Sequence, residues 1–387
     1  MVPEGRRTKG FFMKWSFSIG RVLDIDIRIH ASFGLILALG AVQWGVPHGP
    51  RGALFGVLLM VCLFACVVVH ELAHSLVAQA FGCTVREILL LPIGGVSRME
   101  KPPQKPQQEL LVALVGPLTN LGLAVGLYFV VRKTGGAIDL EQIARMPPTA
   151  PSMSTALVWL LGANVFLALF NLIPAFPLDG GRVFRALLSM AVGARRATQI
   201  AAGTGQMIAI GLGLTGVFTG NLILALVAFF IFMGAGQEQA EEAARTVLHS
   251  LAVGDAYNKY ALTLAPGDQV SRVIDYLLTS YEPDFAVVQG SRLLGVVTRA
   301  DVLKALATEI EDVYVATIMK RDVMKADAAR PLDEVRQEMM EKQERVAAVY
   351  RDETYLGLVS LEDIAETLLV VGFRNRQEER RKAAMAG

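Results

Sequence analysis

Six apolar blocks, separated by polar stretches, occupy the first two thirds of the chain; the last third changes character. The blocks lie near residues 31–46, 52–80, 108–131, 154–173, 198–218 and 221–236. A helix needs roughly 20 apolar residues to cross a bilayer, so each block predicts a membrane span, with soft boundaries on the short first and last ones. Upstream, Val22-Leu23-Asp24-Ile25-Asp26-Ile27-Arg28-Ile29-His30 alternates with period two and predicts a strand. Beyond residue 236, short apolar runs alternate with many Asp, Glu, Lys and Arg, the pattern of a soluble region.

Composition agrees with this division. Hydrophobic residues make up 53% of the 387 residues, more than a soluble domain carries, and the excess sits in residues 31–236. The net charge of +1 offers nothing to a nucleic acid, so no such partner is expected. Three cysteines are too few for a disulfide framework. Cys62 and Cys66 share a helix face and read as small buried hydrophobes. No cleavable signal peptide is evident in the basic, polar first 30 residues.

Lys and Arg set an orientation. Arg6, Arg7, Lys9, Lys14, Arg21 and Arg28 precede the first block; Arg86, Arg98, Lys101 and Lys105 follow the second; Arg182, Arg185, Arg195 and Arg196 follow the fourth. The opposite loops hold only Arg51, Arg132, Lys133 and Arg145. The expected protein is multi-pass, integral to the lipid bilayer, with both termini and the soluble region in the cytosol.

The chemistry sits in the second block. His70-Glu71-Leu72-Ala73-His74 lies within the apolar run from Gly52 to Phe81, where each charged group near the bilayer centre costs on the order of a few kcal/mol. Residues i and i+4 share a helix face, so His70 and His74 can bind one zinc ion with Glu71 beside them as base. In the orientation above this span runs inward and places both imidazoles in its cytosolic half. A third ligand should then lie near the cytosolic end of another span. The fourth block also runs inward and ends in Asn171-Leu172-Ile173-Pro174-Ala175-Phe176-Pro177-Leu178-Asp179-Gly180-Gly181-Arg182. Its two prolines interrupt the helix just before a carboxylate. Two His and one carboxylate leave a fourth position for water, as catalytic zinc sites do. Asp179 also has a plain reading as a cap for the helix that follows.

HExxH within a membrane helix, together with the Asn171–Arg182 segment, resembles the site-2 protease family of intramembrane metalloproteases, in its prokaryotic branch. The likeness covers residues 20–236. It implies one zinc ion per chain on His70, His74 and Asp179, Glu71 as general base, and a prokaryotic inner-membrane location. Gly116-Pro117-Leu118-Thr119-Asn120 is similar to the family's small-Pro-x-x-Asn element, which makes Asn120 and Asn171 candidates for holding substrate backbone or an oxyanion; both also read as plain interhelical hydrogen bonds. Leu91-Pro92-Ile93-Gly94-Gly95-Val96 resembles the family's re-entrant strand segment, where an extended substrate would pair by strand addition, and reads equally as a hairpin turn.

Residues 251–372 contain an internal repeat. Phe285-Ala286-Val287-Val288 and Leu293–Leu303 form one copy, Val346–Tyr350 and Tyr355–Ile364 the other. In each, a helix opens with Thr298 or Ser360 three residues before Asp301 or Asp363, a capping box in kind. The pattern resembles a tandem pair of cystathionine-β-synthase (CBS) domains. That resemblance makes Thr298, Asp301, Ser360 and Asp363 candidates for adenine-nucleotide binding, and the pair a candidate homodimer contact.

The expected fold is thus an α-helical polytopic membrane domain of about six spans with short N-terminal and re-entrant strands, followed by an α/β tandem CBS module. Its expected domains are a cytosolic arm with a strand (1–30), the membrane metalloprotease (31–236), a helical linker (237–250), two repeats (251–310 and 311–372) and a charged tail (373–387). The expected function is zinc endopeptidase cleavage of a membrane protein near the cytosolic side of the bilayer, modulated by the CBS pair. A channel or transporter with regulatory CBS domains, and an inactive relative that only binds membrane helices, are the alternatives.

Overall fold

The computed structural model describes residues 15–92, 94–99, 103, 105–134, 150–279, 284–308 and 312–386. The arm up to residue 14, Ile93, and the loop charges Lys101 and Arg145 lie outside them. The chain divides into two compact units at Ala240 and Glu241.

The apolar blocks of the first unit become α1 (Gly34–Ala80), α2 (Pro106–Lys133), α3 (Met153–Asn171), α5 (Ala194–Phe218) and α6 (Leu222–His249), while the short amphipathic α4 (Asp179–Val192) follows α3. Among the described residues, five helices are long and apolar enough to cross a membrane, where six blocks predicted six spans. The difference lies in α1, which joins the first two blocks. At 1.5 Å per residue its 47 residues would extend about 70 Å, more than twice a hydrocarbon core. Gly49 breaks it, with φ 65° and ψ −157°, between Pro47 and Pro50. The two legs then pack on small residues. A Cβ on Gly40 would come 2.6 Å from Met60 Cγ, and one on Gly56 would collide with the carbonyl of Gly40.

A four-stranded sheet covers one flank of this unit, in the order β1 (Ser16–Val22), β2 (Ile25–His30), β3 (Val85–Leu91), β4 (Gly94–Met99). The alternating stretch is therefore not one strand: Leu23 and Asp24, at φ 50° and 65°, turn the chain between β1 and β2. Its alternation is real within β2, where Ile25 and Ile27 are buried. They join Phe33, Phe64, Ile88, Leu90 and Val112 in one core, which fixes β3 and β4 against α1. Cys62 is exposed and Cys66 half-buried, so only Cys83 is the buried thiol expected of this composition.

The second unit repeats one design twice. The first copy runs β5 (Thr263–Leu264), α7 (Val270–Thr279), β6 (Asp284–Gln289), β7 (Arg292–Thr298) and α8 (Arg299–Thr308). After the short α9 (Val315–Ile318), the second runs β8 (Lys325–Asp327), α10 (Leu332–Lys342), β9 (Val346–Arg351), β10 (Thr354–Ser360) and α11 (Leu361–Ala386). Each three-stranded sheet joins one parallel and one antiparallel pair. Ala286 and Val296 of one sheet pack with Val346, Ala348 and Leu358 of the other. Gly295 admits the backbone of Lys320, and Gly357 that of Asn258; a Cβ at Gly295 would lie 2.6 Å from the Lys320 carbonyl oxygen. α6 runs unbroken through the expected linker, and α11 through the expected tail.

Asp284, at the start of β6, carries a largely buried carboxyl. Burial raises its carboxyl from the usual 3.8 to about 6, aided by the carboxylates of Glu362, Asp363 and Asp301 against the opposing pull of Arg345. A carboxyl whose folded value lies above its unfolded value contributes most below the unfolded one, and that contribution is lost as pH rises through about 6. Asp284→Asn is therefore expected to raise the melting temperature of this unit at pH 7.5 and to flatten its dependence between pH 4 and 7. Calorimetry of the full-length protein at several pH values checks this, and an unchanged profile would refute it.

Candidate metal centre

Two helices bring three electron-pair donors together. His70 and His74, one turn apart on the second leg of α1, are 5% and 6% exposed. Asp179 opens α4, directly after the segment that breaks away from α3. His70 Nε2 and His74 Nε2 are 3.0 Å apart, and Asp179 Oδ2 lies 3.2 and 3.3 Å from them. These three side chains form a ligand cluster able to hold a metal ion. Tetrahedral zinc with bonds of about 2.0–2.1 Å would place its ligands about 3.3 Å from one another. The donor set fits the ion in both chemistry and spacing.

The surroundings hold that geometry. His74 Nδ1 donates to the Val112 carbonyl at 2.6 Å, which leaves the Nε2 lone pair free to ligate. The approach of α2 depends on Gly116: a Cβ there would lie 2.6 Å from His70 Cε1 and run into His74 Nε2. The small residue of the Gly116-Pro117-Leu118-Thr119-Asn120 element is thus the point where α2 rests on the imidazoles. On the Asp179 side, Gly181 lets the first turn of α4 pack against the backbone of Ala175 and Phe176, and a Cβ on it would lie 2.6 Å from the Ala175 carbonyl carbon. Farther along α4, Arg185 donates to Glu109 of α2 at 2.8 Å and to Glu238 of α6 at 2.6 Å. This pairing ties the helix carrying Asp179 to two others, and buried charges persist when they are paired in this way.

Glu71 is held by separate contacts. Its Oε2 accepts from Ser97 Oγ of β4 at 2.7 Å, and its backbone carbonyl accepts from Ser75 Oγ at 2.8 Å. A Cβ on Gly95 would lie 2.5 Å from Glu71 Cγ, so the Gly94-Gly95 pair does more than turn a hairpin.

The other sequence candidates occupy varied settings. Asn120 lies one turn beyond Gly116 on the same face of α2, 1% exposed, with its side-chain oxygen unpartnered among the described residues. Asn171 is half-buried at the end of α3. Thr298 and Asp301 form the expected capping box: Asp301 Oδ2 accepts from the Thr298 hydroxyl at 2.7 Å and from its backbone N–H at 3.0 Å. Ser360 and Asp363 repeat this with both distances at 2.7 Å. The capping role is therefore filled in both copies. Sequence reasoning missed Ser97, the Val112 carbonyl and the Arg185 pairing, because nothing local marks a serine on a strand or a backbone oxygen in a helix as facing a distant side chain. Asn164 was also passed over; it is fully buried in α3, and its amide donates to the Leu160 carbonyl at 2.8 Å.

Gly116→Ala is expected to weaken zinc binding by at least about tenfold, on the scale of lost supporting contacts. Gly122→Ala, where a Cβ would meet nothing within 4 Å, is expected to change nothing. Zinc retention against a competing chelator measures both, and equal retention would refute the role given to Gly116.

The chain is similar to known proteins along both of its parts. The description "Peptidase family M50" matches residues 58–212, a range that contains both imidazoles and Asp179. "CBS domain" matches residues 253–308 and 315–370. A zinc metalloprotease of Methanocaldococcus jannaschii is 31% identical over 296 residues, which cover 76% of this chain and 82% of that protein. Stage IV sporulation protein FB of Bacillus subtilis is 25% identical over 212 residues, covering 54% of this chain and 64% of its own length. The solved site-2 protease from Methanocaldococcus jannaschii is 36% identical and covers 58% of this chain and 95% of that one, with a TM-score of 0.44. Likeness at this identity, over most of the length of a zinc metalloprotease, makes the chain a member of peptidase family M50, a metalloprotease of the site-2 type that carries a tandem CBS pair.

Proposed function

We propose that this protein cleaves a transmembrane or membrane-associated protein substrate inside the bilayer, near its cytosolic side. The observation that carries this reading is the triangle of His70 Nε2, His74 Nε2 and Asp179 Oδ2, 3.0–3.3 Å on a side, within apolar helices and with Glu71 adjoining. In this reading those three residues hold one zinc ion, which when bound supplies the Lewis acidity that makes water a nucleophile near neutral pH. Glu71 accepts the proton that water loses as its oxygen bonds to the peptide carbon. As the C–N bond breaks, Glu71 returns that proton to the departing nitrogen. Asn120 and Asn171 serve to hold substrate backbone or the developing oxyanion.

A membrane helix hides every backbone N–H and C=O in its own ladder, so a span with helix-breaking residues is the preferred target. β4 is the last strand of its sheet, with its outer side unpaired among the described residues, and an unwound segment would add there as a further strand. The distribution of Lys and Arg supports both termini in the cytosol of a prokaryotic cell, with six crossings if each leg of α1 counts as one. The CBS pair then lies in the cytosol, where an adenine nucleotide meeting Thr298 with Asp301, or Ser360 with Asp363, would adjust proteolysis. Two copies of the chain would associate through the same pair.

Glu71→Gln and Asp179→Asn are each expected to abolish cleavage while leaving a folded, membrane-inserted protein. Proteomic comparison of membranes holding active protein or Glu71→Gln should reveal a span-containing fragment or precursor that accumulates only in the variant. Zinc-dependent proteolysis retained in both variants would overturn the mechanism. Titration of the full-length protein with ATP, ADP and AMP is expected to release heat and to change the cleavage rate for at least one of them. No heat and no change in rate would dismiss nucleotide control.

A further inference from the structure

A general base must be free to take a proton and yet fixed in direction. Two atoms of Glu71 are engaged: its main-chain carbonyl by Ser75 Oγ, and carboxylate Oε2 by Ser97 Oγ at 2.7 Å. The two hydroxyls lie 3.4 Å apart, so the contact between α1 and β4 is polar at this point. Alternate residues of a strand share a face, and Gly95 sits two residues before Ser97 on β4. An ideal Cβ on Gly95 would lie 3.2 Å from Glu71 Oε1 and closer still to its Cγ and Cδ. One face of β4 thus offers the carboxylate a donor at Oε2 and, at Gly95, a backbone without a side chain packed close against its Cγ, Cδ and Oε1.

We propose that Ser97 is a positioning residue for the reaction. Its donated hydrogen bond occupies Oε2 and directs Oε1 to receive the proton from water. A serine hydroxyl has one proton to donate, so this bond commits it to a single carboxylate oxygen. Among the described residues the Ser97 hydroxyl bonds to Glu71 and faces Ser75; in this role it does not meet the substrate and acts through Glu71. The inference rests on the reading of Glu71 as the base.

The test uses full-length protein in proteoliposomes, a dye-labelled single-span peptide with an Asn-Pro pair in its cytosolic half, and, if wild type spares that peptide, the span recovered from the membrane comparison. Ser97→Ala is expected to lower kcat about 10–100-fold, the range for a lost supporting hydrogen bond, with KM and zinc content unchanged. Ser97→Thr keeps the hydroxyl on a residue suited to a strand and is expected to restore kcat. A second readout needs no turnover: the infrared carboxyl band that Glu71→Gln removes should shift in Ser97→Ala and return in Ser97→Thr, with or without zinc. If Ser97→Ala does not accumulate, Ser97→Cys, close in size with a weak donor, carries the same comparisons. Unchanged kcat, a rise in KM alone, loss of zinc, or an unmoved Glu71 band would each overturn the proposal. Cleavage retained by Glu71→Gln would instead remove the base itself, whereas a dead Glu71→Gln beside a fully active Ser97→Ala would remove only Ser97.

Discussion

Imidazoles and carboxylates inside apolar helices are tolerable when they answer one another, and three donors held 3.0–3.3 Å apart is the constraint that organises the membrane unit. Two of the donors come without effort, because one helical turn separates His70 from His74. The third must come from another helix, and a side chain as short as aspartate needs its own backbone brought close. The break at Pro174 and Pro177, followed by two glycines, lets the chain leave α3 and restart as α4 with Asp179 at its head. Arg185 then binds that short helix to Glu109 and Glu238. Gly116 completes the enclosure by letting α2 lie directly on the imidazoles. Each of these features would be unnecessary without the triangle, and together they account for the close packing around it.

Glycine repeatedly marks where one element must touch another. Gly40 and Gly56 close the hairpin of α1, Gly95 brings β4 against Glu71, and Gly295 and Gly357 admit backbone from elsewhere in the CBS pair. The two repeats of that pair divide their polar groups evenly. Thr298 with Asp301, and Ser360 with Asp363, already satisfy one another as helix caps. Close to both caps, the carboxylates of Glu362, Asp363 and Asp301 concentrate negative charge around Asp284. Membership in a zinc metalloprotease family removes the channel reading, in which His70, Glu71 and Asp179 would have lined an ion path.

Local spacing made much of this legible. The apolar blocks announced the helices, the i,i+4 histidines announced a metal face, and the sign of the loop charges said where a third ligand should be sought, which led to Asp179. The repeat in the last third was visible from matched strand and capping patterns. The errors were equally physical. Periodicity cannot see a turn made by Leu23 and Asp24, since the apolar alternation passes straight through it. Hydropathy did separate the two legs of α1, which part at Gly49, but does not show that they run on as one element.

The sequence by itself determined the chemistry that is written in short intervals: which residues are apolar, which face of a helix bears two imidazoles, which helices open with a cap. Such features depend on neighbours within about a turn or a strand pair, so composition and spacing carry them. Tertiary structure alone decided that Ser97 meets Glu71, that Val112 holds His74, and that Arg185 joins three helices. Those contacts link residues 26 to 76 positions apart, and a serine or an arginine carries no local mark of the distant group it will face. Only the packing of α1, α2, α4 and the sheet into one unit chooses that partner.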